Sequence, residues 1–475
     1  MQDRFGLPIT TSSATAAEHY QKGLDLVLSQ NFGAEEELQK AVEADEGFAI
    51  ATSCMAYVAM QRGRGAEARE IIKGVQSLSS GASKRERQQI EAVALWISGD
   101  GPRSVILVRE HLDEFPRDAL MLRLAQRLYM LGCYGSGVPN FPDELYALCK
   151  SIEKHCSDEW SFLGQFAFAN HETGRLDEAM TLARRSLDLY PTNATACHSV
   201  THAYFEQGNA SDGGLFLGDW LEGFDRRAAY HVHLSWHQAL FELALGRYQS
   251  ALDLYESDIR PSVVEKTIGD LANSASLLWR LKLYSDSPSP MPWKEVSDQA
   301  VPAAANPGPA FRDAHAALAF AAAGDDESMS RLIDGTQKLA DKGSGVAREM
   351  TLPLLQGISA FAEGSYGEAA RLMEPLAPQL ARIGGSHAQR EVFEDTLLEA
   401  YLRAEQFDKA EDMLRERLGR RASVRDTFWM GRVQASNGET GPARSTLKEA
   451  IDGWSGGDES SPEMTDLTAL AGTLG

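Results

Sequence analysis

Histidines cluster in one stretch of the sequence. Six of the eleven histidines lie within the 67 residues from position 171 to 237. Imidazole binds transition metals, titrates near neutral pH and gives organic ligands a flat polar surface, so the cluster indicates a chemical site. Two pairs have a spacing of four, which places both rings on one face of a helix. The six residues are His171, His198, His202, His231, His233 and His237.

Three kinds of site are compatible with this cluster. The principal hypothesis is a binding pocket for a small molecule or an extended peptide. The second is a site for a divalent metal such as zinc, whose ligands would be His198, His202, His233 and His237. The third is metal-free acid–base catalysis, with an acidic partner from the C-terminal part of the chain. The catalytic candidates for an enzyme are His198, His202, His237 and Asp313, with Asp395 as another acidic partner.

The elements that position these histidines follow a repeat. A glycine followed five residues later by an alanine recurs along the chain, and Gly174 lies 34 residues before Gly208. Glycine ends a first helix in the left-handed conformation, the alanine lets a second helix pack closely, and proline ends that helix. This pattern resembles the tetratricopeptide repeat. It implies an all-α fold, an α-solenoid of about eleven helix hairpins in a right-handed superhelix.

The histidines keep a fixed register within this repeat. Counted back from the glycine that ends each first helix, they fall at offsets of three, six, ten and thirteen residues. These offsets differ by three or four and therefore mark one stripe of a helix. In tetratricopeptide repeats that stripe faces the concave groove, so we predict a His/Trp-lined pocket. Its predicted residues are His171, His198, His202, His233 and Trp236, with His237 at the edge of the stripe.

The order of several short motifs narrows the resemblance. Together they span about nine-tenths of the chain and are similar in order to those of the tetratricopeptide repeat protein 38 family and its bacterial relatives. The resemblance implies an α-solenoid and carries no particular reaction. The motifs are Gly6–Ser12, His198–His202, His233–His237, Ser274–Leu281, Asp313–His315 and Gly384–Arg390.

Two arginines and one Asp/His pair add weaker candidates in the C-terminal part. Arg280 and Arg390 are candidate ligands of a carboxylate or phosphate, although pairing with the surplus of Asp and Glu is the simpler interpretation. Asp313 and His315 are two residues apart, so on a helix they point about 200° apart and do not chelate one ion together. The turn before Ala388 is interpreted as a helix cap more readily than as an anion site.

The proline pattern predicts the domain organisation. Six of the 18 prolines lie in residues 285–309, which predicts a linker with one short helix near residues 293–299. The linker would separate an N-terminal block, 1–284, from a C-terminal block, 310–453. The glycine-rich and serine-rich tail, 454–475, is predicted to be weakly ordered.

Charge and composition limit the partners. With 46 basic and 68 acidic residues the net charge is -22, which opposes binding to nucleic acid and to an anionic membrane surface. No apolar run approaches the ~20 residues that span a bilayer. The N-terminus lacks the pattern of a secretory signal, and five cysteines without a CxxC pair suit a reducing compartment. We therefore expect a cytoplasmic protein. Its predicted groove lacks the Lys and Arg residues that clamp a chaperone peptide.

Overall fold

The structure is a computed structural model that describes residues 1–78, 81–285 and 290–474. Within these ranges every extended regular element is helical, and the isolated bridge between Gln2 and Pro8 is the one β pairing. This confirms the predicted all-α helical-repeat fold. The hand of the superhelix stays a prediction. Across the same ranges, no helix combines the length and the apolar character that crossing a bilayer requires.

The described chain groups into two compact units. The first unit is Met1–Ala203 with Gly223–His231, and the second is Tyr204–Glu222 with Val232–Gly475. These limits differ from the predicted blocks 1–284 and 310–453, which stay a prediction about repeat organisation. Residues 286–289 of the predicted linker lie outside the described residues.

The first unit consists of successive helix hairpins. Its first helices end at glycines in the left-handed region, with φ of 78° at Gly63 and 77° at Gly174. Five residues after each, Ala68 and Ala179 are fully buried where the second helix packs closely. The helices of this unit are α1 (Ala14–Ser29), α2 (Ala34–Ala44), α3 (Ala49–Gln61), α4 (Gly65–Leu78), α5 (Lys84–Ile97), α6 (Gly101–Glu114), α7 (Ala119–Tyr129), α8 (Gly132–Ser136), α9 (Phe141–Cys156), α10 (Trp160–Glu172), α11 (Leu176–Leu189) and most of α12 (Ala194–Glu206).

The second unit has a large apolar core, which includes Trp279 and Trp429. Two short π-helical turns, Tyr255–Ile259 and Ala347–Thr351, interrupt its helices. Its helices are α13 (Ala210–Glu222), most of α14 (Ala229–Ala244), α15 (Tyr248–Leu254), α16 (Arg260–Val264), α17 (Leu271–Leu283), α18 (Trp293–Ala305), α19 (Ala310–Ala323), α20 (Asp326–Asp341), α21 (Leu352–Ala362), α22 (Tyr366–Met373), α23 (His387–Arg403), α24 (Phe407–Arg420), α25 (Val424–Ser436), α26 (Thr440–Gly453) and α27 (Pro462–Thr473).

Much of the predicted linker is a packed helix. Helix α18 fills Trp293–Ala305, and its Val296 and Ala300 are fully buried in the core. Pro292 is its N-cap residue, where a missing backbone N–H costs nothing. Pro302 lies in the last turn and its carbonyl accepts a bond from Asn306 N, so the helix ends shortly after it. The prolines of this segment therefore mark the start and the last turn of helix α18, so a high proline count did not mean that the whole segment is a linker.

The C-terminal tail also contains a helix. Helix α27 begins after Ser461, whose side chain accepts a bond from Met464 N. Trp454 and Leu467 are buried in a small apolar cluster, and Glu463 is buried against Arg425 at 2.8 Å. The Gly/Ser content of the tail did not predict these tertiary contacts, which order it.

The close helix contact at Gly101 gives the first prediction. A Cβ at position 101 would overlap the carbonyl oxygen of Gly135, and backbone cannot move aside as a flexible side chain can. We expect Gly101→Ala to lower the free energy of unfolding by about 1–3 kcal/mol in denaturant titrations. The matched control is Gly74→Ala, because a Cβ at that helix position meets nothing within 4 Å. The control should gain up to about 1 kcal/mol from helix propensity. If both substitutions changed the free energy of unfolding equally, that result would contradict the close approach of position 101 to Gly135.

Candidate functional site

The predicted site residues are distributed over both units. The first unit contains His171, His198 and His202, and all three are buried, with His202 at 0% exposure. The second unit contains the other predicted residues, so the two sets are described separately. These other residues are His233, Trp236, His237, Arg280, Asp313 and Arg390.

In the first unit three imidazoles surround one phenyl ring. We call His171, His198 and His202, packed around Phe168, the histidine cluster. The ring centroids of His198 and His202 are 4.4 Å apart, and those of His171 and His202 are 4.2 Å apart. Phe168 stacks on His198 at 5.8 Å with an interplanar angle of 13°. The three histidines of the predicted stripe that belong to the first unit thus lie together. They meet because α10 and α12 carry them on the helix faces that the stripe defines.

The nitrogen atoms of this cluster have defined partners. Nε2 of His198 lies 3.0 Å from Nε2 of His202. Nδ1 of His171 lies 3.0 Å from the carbonyl oxygen of Phe168, so this nitrogen carries a hydrogen and donates it. The Nε2 atom of a neutral His171 is then a lone-pair nitrogen, and it lies 3.6 Å from a carboxylate oxygen of Glu172.

A tyrosine orients His198 from the other side of its ring. The Tyr230 hydroxyl lies 2.9 Å from Nδ1 of His198, and burial raises the pKa of the phenol. The hydroxyl therefore stays protonated and holds the imidazole ring through a hydrogen bond at Nδ1. Sequence reasoning missed Tyr230, although it lies 16 residues before Gly246 and three before His233 and so continues the spacing of the stripe.

In the second unit the stripe residues of α14 contact α17. Nδ1 of His233 donates to the side-chain oxygen of Asn273 at 2.9 Å, and its ring stacks on Trp236 at 5.4 Å. Burial lowers the pKa of His233 to about 4, while the bond to Asn273 opposes that shift, so the ring is neutral at pH 7. Trp236 is fully buried and its indole N–H donates to Ser276 at 3.0 Å.

His237 completes this second-unit group. Its ring centroid lies 4.8 Å from that of His233 and 4.7 Å from Trp236, both at steep angles. The two histidines of the pair therefore share one helix face, as their spacing predicted. Both histidine pairs of the sequence analysis thus keep their rings in contact, each within its own unit.

The two predicted arginines contact protein oxygens. Arg280 donates from Nη2 to the Ala388 carbonyl at 2.8 Å and lies 3.7 Å from the Asp395 carboxylate. Arg390 donates to the carbonyl oxygen of Gly385. Both guanidiniums are buried. Arg280 lies near an acidic residue, as the surplus of Asp and Glu in the sequence led us to expect. Their role as ligand-binding residues stays a prediction.

Asp313 and His315 point to different partners, as their spacing predicted. The Asp313 carboxylate accepts from Arg312 at 2.7 Å and from the Gly308 N–H at 2.6 Å. His315 donates from Nδ1 to the Phe311 carbonyl at 2.7 Å and is fully buried. Within the second unit Asp313 therefore has a cationic partner already, while its role as a catalytic acid stays untested.

A buried ion-pair network in the second unit was not predicted. Arg417 lies 2.8 Å from Asp395 and 2.9 Å from Asp426. His387 lies 2.9 Å from Glu206, and this carboxylate raises the pKa of the imidazole although burial opposes it. The partners come from α12, α23, α24 and α25, so no local spacing could have indicated the network.

Comparison with known proteins adds little to this geometry. No protein-family model matches the chain. Among solved structures, a human IFIT1 dimer with PPP-AAAA shares 12% identity over 95% of this chain and 97% of that one, with a TM-score of 0.42. The Cut9–Hcn1 hetero-tetramer of the APC/C shares 13% identity over 98% and 96%, with a TM-score of 0.35. A tetratricopeptide repeat protein from Parabacteroides merdae shares 12% over 66% and 98%, with a TM-score of 0.28.

These likenesses carry no argument about function. The tetratricopeptide-like character of the chain rests on its own hairpins, and membership of the tetratricopeptide repeat protein 38 family stays a resemblance in motif order. The expected lack of nucleic-acid binding, based on the net charge of -22, and the cytoplasmic location also stay predictions.

The buried His315 predicts a pH dependence of stability. Burial lowers its pKa from 6.5 to about 4. The unfolded chain therefore binds a proton below pH 6.5 that the folded chain refuses until about pH 4, so folding is destabilised as the pH falls through this window. The full effect is on the order of 3 kcal/mol.

The measurement is urea unfolding of the wild-type protein and His315→Gln at about pH 8 and at about pH 4.5. We expect the wild type to lose more stability than the variant on acidification, since other titrating groups cancel in the difference. His155→Gln, at an exposed position, is the control and should follow the wild type. Parallel curves for wild type and His315→Gln would refute a neutral buried imidazole at this position.

Proposed function

We propose that this protein is a helical-repeat binding protein whose histidine cluster holds a divalent transition-metal ion such as zinc. His198 and His202 would bind it through their Nε2 atoms. The observation that carries this proposal is the 3.0 Å separation of these two atoms. Two nitrogens bound to one tetrahedral zinc ion at ~2.05 Å would lie about 3.3 Å apart, so little movement is needed.

The surroundings of the cluster suit metal ligands. A ligating histidine usually donates its second ring N–H to a carbonyl, a carboxylate or a hydroxyl, which fixes the ring. His198 has the Tyr230 hydroxyl at Nδ1, and His171 has the Phe168 carbonyl. Their Nε2 atoms are the ring nitrogens that would bind an ion. A bound zinc would supply Lewis-acid character, while these residues orient the ligands and exclude water.

Further ligands are needed, because zinc takes three or four protein ligands. His171 is the third imidazole of the same cluster, with its ring 4.2 Å from that of His202. The set predicted from the sequence instead adds His233 and His237. Single variants distinguish these two sets.

Burial favours a small ligand at this site. His198 is 4% exposed and His202 is 0% exposed, so a bound peptide would have to displace neighbouring side chains to contact them. An ion needs no such opening once it has entered. The same burial favours a small molecule over an extended peptide as the ligand of the cluster.

A second candidate function rests on one further observation. Tyr230, His198 and His202 form a chain of hydrogen-bonding distances, 2.9 Å and then 3.0 Å. Without an ion, one hydrogen occupies the contact between the two Nε2 atoms, so the imidazole pair can accept and release a proton while the Tyr230 hydroxyl stays protonated. This arrangement supports metal-free acid–base catalysis, in which the imidazole pair moves a proton.

Metal content is the direct test. Protein purified without chelators should contain about one zinc or similar ion per chain by plasma mass spectrometry, and the His198→Ala/His202→Ala double variant should contain none. His171→Ala and His237→Ala then identify the third ligand, and His155→Ala is the control that keeps the ion. A metal-free wild type that also binds zinc no more tightly than the double variant would sink the metal proposal and favour the proton relay.

The role of Tyr230 gives a separate prediction. Tyr230→Phe keeps the ring and removes the hydroxyl that orients His198, and loss of such an outer partner weakens metal binding about 10–100-fold. Competition with a chromogenic chelator measures this change. Tyr134→Phe, at an exposed position of the same unit, is the matched control and should bind zinc as the wild type does. An unchanged affinity in Tyr230→Phe would show that the hydroxyl does not support the site.

A further inference from the structure

A hairpin turn precedes helix α1, and we call residues 1–12 the turn segment. Its backbone reverses at Gly6, which lies in the left-handed region with φ of 77°. Oδ1 of Asp3 accepts from the backbone N–H groups of Phe5 and Leu7 at 3.0 and 2.9 Å, which closes the turn. The turn segment therefore holds its shape through its own hydrogen bonds, as a preorganised peptide ligand does.

Arg4, within the turn, is held by carboxylates of two different hairpins. Its Nε donates to Asp25 of α1 at 2.7 Å, and its Nη1 donates to Glu159, the N-cap residue of α10. Its guanidinium also lies 5.1 Å from the ring centroid of Trp160. Two carboxylates and an indole ring therefore form a seat that is complementary to an arginine.

Side chains of the first unit also contact the backbone of the turn segment. Arg117 donates to the carbonyl oxygen of Phe5 at 3.1 Å, and the Glu86 carboxylate accepts from the Thr10 N–H at 2.7 Å. Contacts with backbone groups do not depend on which side chain the segment carries at those positions. A different peptide with the same backbone shape can therefore make the same contacts.

Phe5 lines a pocket between three helices. The pocket is also lined by Leu122 of α7, Ile152 of α9 and Phe162 of α10, and the Phe5 side chain is buried there at 4% exposure. A cavity of about 10 Å³ remains among these side chains. That volume is about the room of one water molecule or one hydroxyl group, so the ring does not fill the pocket completely.

The turn segment leaves polar atoms of its own seat unpaired. Ser161 and Gln165 line the pocket and are 2% and 1% exposed. Within the described part of the chain, Oγ of Ser161, Oε1 of Gln165 and Nη2 of Arg4 have no hydrogen-bond partner. Unpaired buried polar atoms cost free energy. The turn segment is therefore an imperfect occupant, and a guest that pairs these atoms would bind more tightly.

We propose that this surface of the first unit is a docking site for a peptide turn of a partner protein, and that the turn segment occupies it as a tethered substitute. The partner's turn carries an arginine, which pairs with Asp25 and Glu159. A tyrosine follows it, and the tyrosine hydroxyl takes the cavity and donates to Oε1 of Gln165. None of these residues belongs to the histidine cluster, so the inference depends neither on the proposed metal nor on the proton relay.

Fluorescence anisotropy with a labelled peptide of residues 1–12 tests the docking site in the full chain. In Arg4→Ala/Phe5→Ala the turn segment loses both anchoring side chains, so the site opens to the peptide. We expect this variant to bind the peptide at least about tenfold more tightly than the wild type, whose own tethered segment competes at a high effective concentration. Gln2→Ala/Ser12→Ala changes two exposed residues of the same segment and should behave as the wild type does.

Peptide variants test the specificity of the site. A peptide with Phe5→Tyr should bind the Arg4→Ala/Phe5→Ala chain about fivefold more tightly than the unchanged peptide, which is the effect of one added hydrogen bond. That advantage should disappear when Gln165→Met is added to the chain. A peptide with Arg4→Ala/Phe5→Ala should not bind. Equal binding of the Phe5→Tyr and unchanged peptides would overturn the assignment of a tyrosine.

Thermal unfolding shows whether the turn segment is a removable occupant. We expect Arg4→Ala/Phe5→Ala to unfold in one cooperative transition at a lower Tm, with the helical circular dichroism of the wild type, because neither side chain belongs to a helix. The proposal is overturned if this variant is unfolded, if it binds the peptide no more tightly than the wild type, or if the peptide without both anchors binds equally.

The oligomeric state separates a partner protein from a second copy of this chain. We expect the wild type and Arg4→Ala/Phe5→Ala to have the same mass by light scattering. A wild-type dimer that the variant loses would assign the surface to the turn segment of a second copy and would overturn the proposed partner. Zinc content is measured on the same proteins, so failure of the metal proposal is distinct from failure here.

Discussion

The constraint on which this structure depends is that a single helix hairpin cannot bury its own apolar face. Neighbouring hairpins have to approach closely, and fully buried alanines such as Ala68, Ala179 and Ala251 permit that approach. Close packing leaves the facing stripe of each first helix enclosed by the next hairpin. Any polar residue on that stripe therefore needs a partner, and the histidines obtain theirs from one another and from Tyr230 and Asn273.

The sequence predicted what depends on local spacing. The glycine–alanine register predicted the hairpins, and offsets of three and four residues predicted which histidine rings meet on one helix face. It did not predict Tyr230 or the partners of Arg417, because these contacts join residues far apart in the chain. Helix α27 was missed for the same reason, since burial of Leu467 orders a segment whose composition favours a loose tail.

Enclosure also changes what the histidines are suited to do. Imidazoles on an open concave surface would suit a peptide, whereas rings whose centroids lie 4.2 and 4.4 Å apart suit a shared ion or a shared hydrogen. The second-unit group shows the alternative outcome, in which burial keeps His233 neutral and Trp236 donates to Ser276 between α14 and α17. One stripe thus carries both a candidate binding site and ordinary helix packing.

The contact between Tyr230 and His198 links two variables that are usually independent. The hydroxyl hydrogen either points at Nδ1 or turns away from an Nδ1–H, so its direction and the ring tautomer are one choice. When Nε2 of His198 gives its lone pair to an ion, the ring hydrogen sits on Nδ1 and the phenol oxygen becomes the acceptor. The phenol hydrogen then points away from the imidazole and needs another acceptor. Occupancy at the imidazoles is therefore linked to the direction of the Tyr230 hydroxyl, and thermodynamic linkage makes that influence mutual.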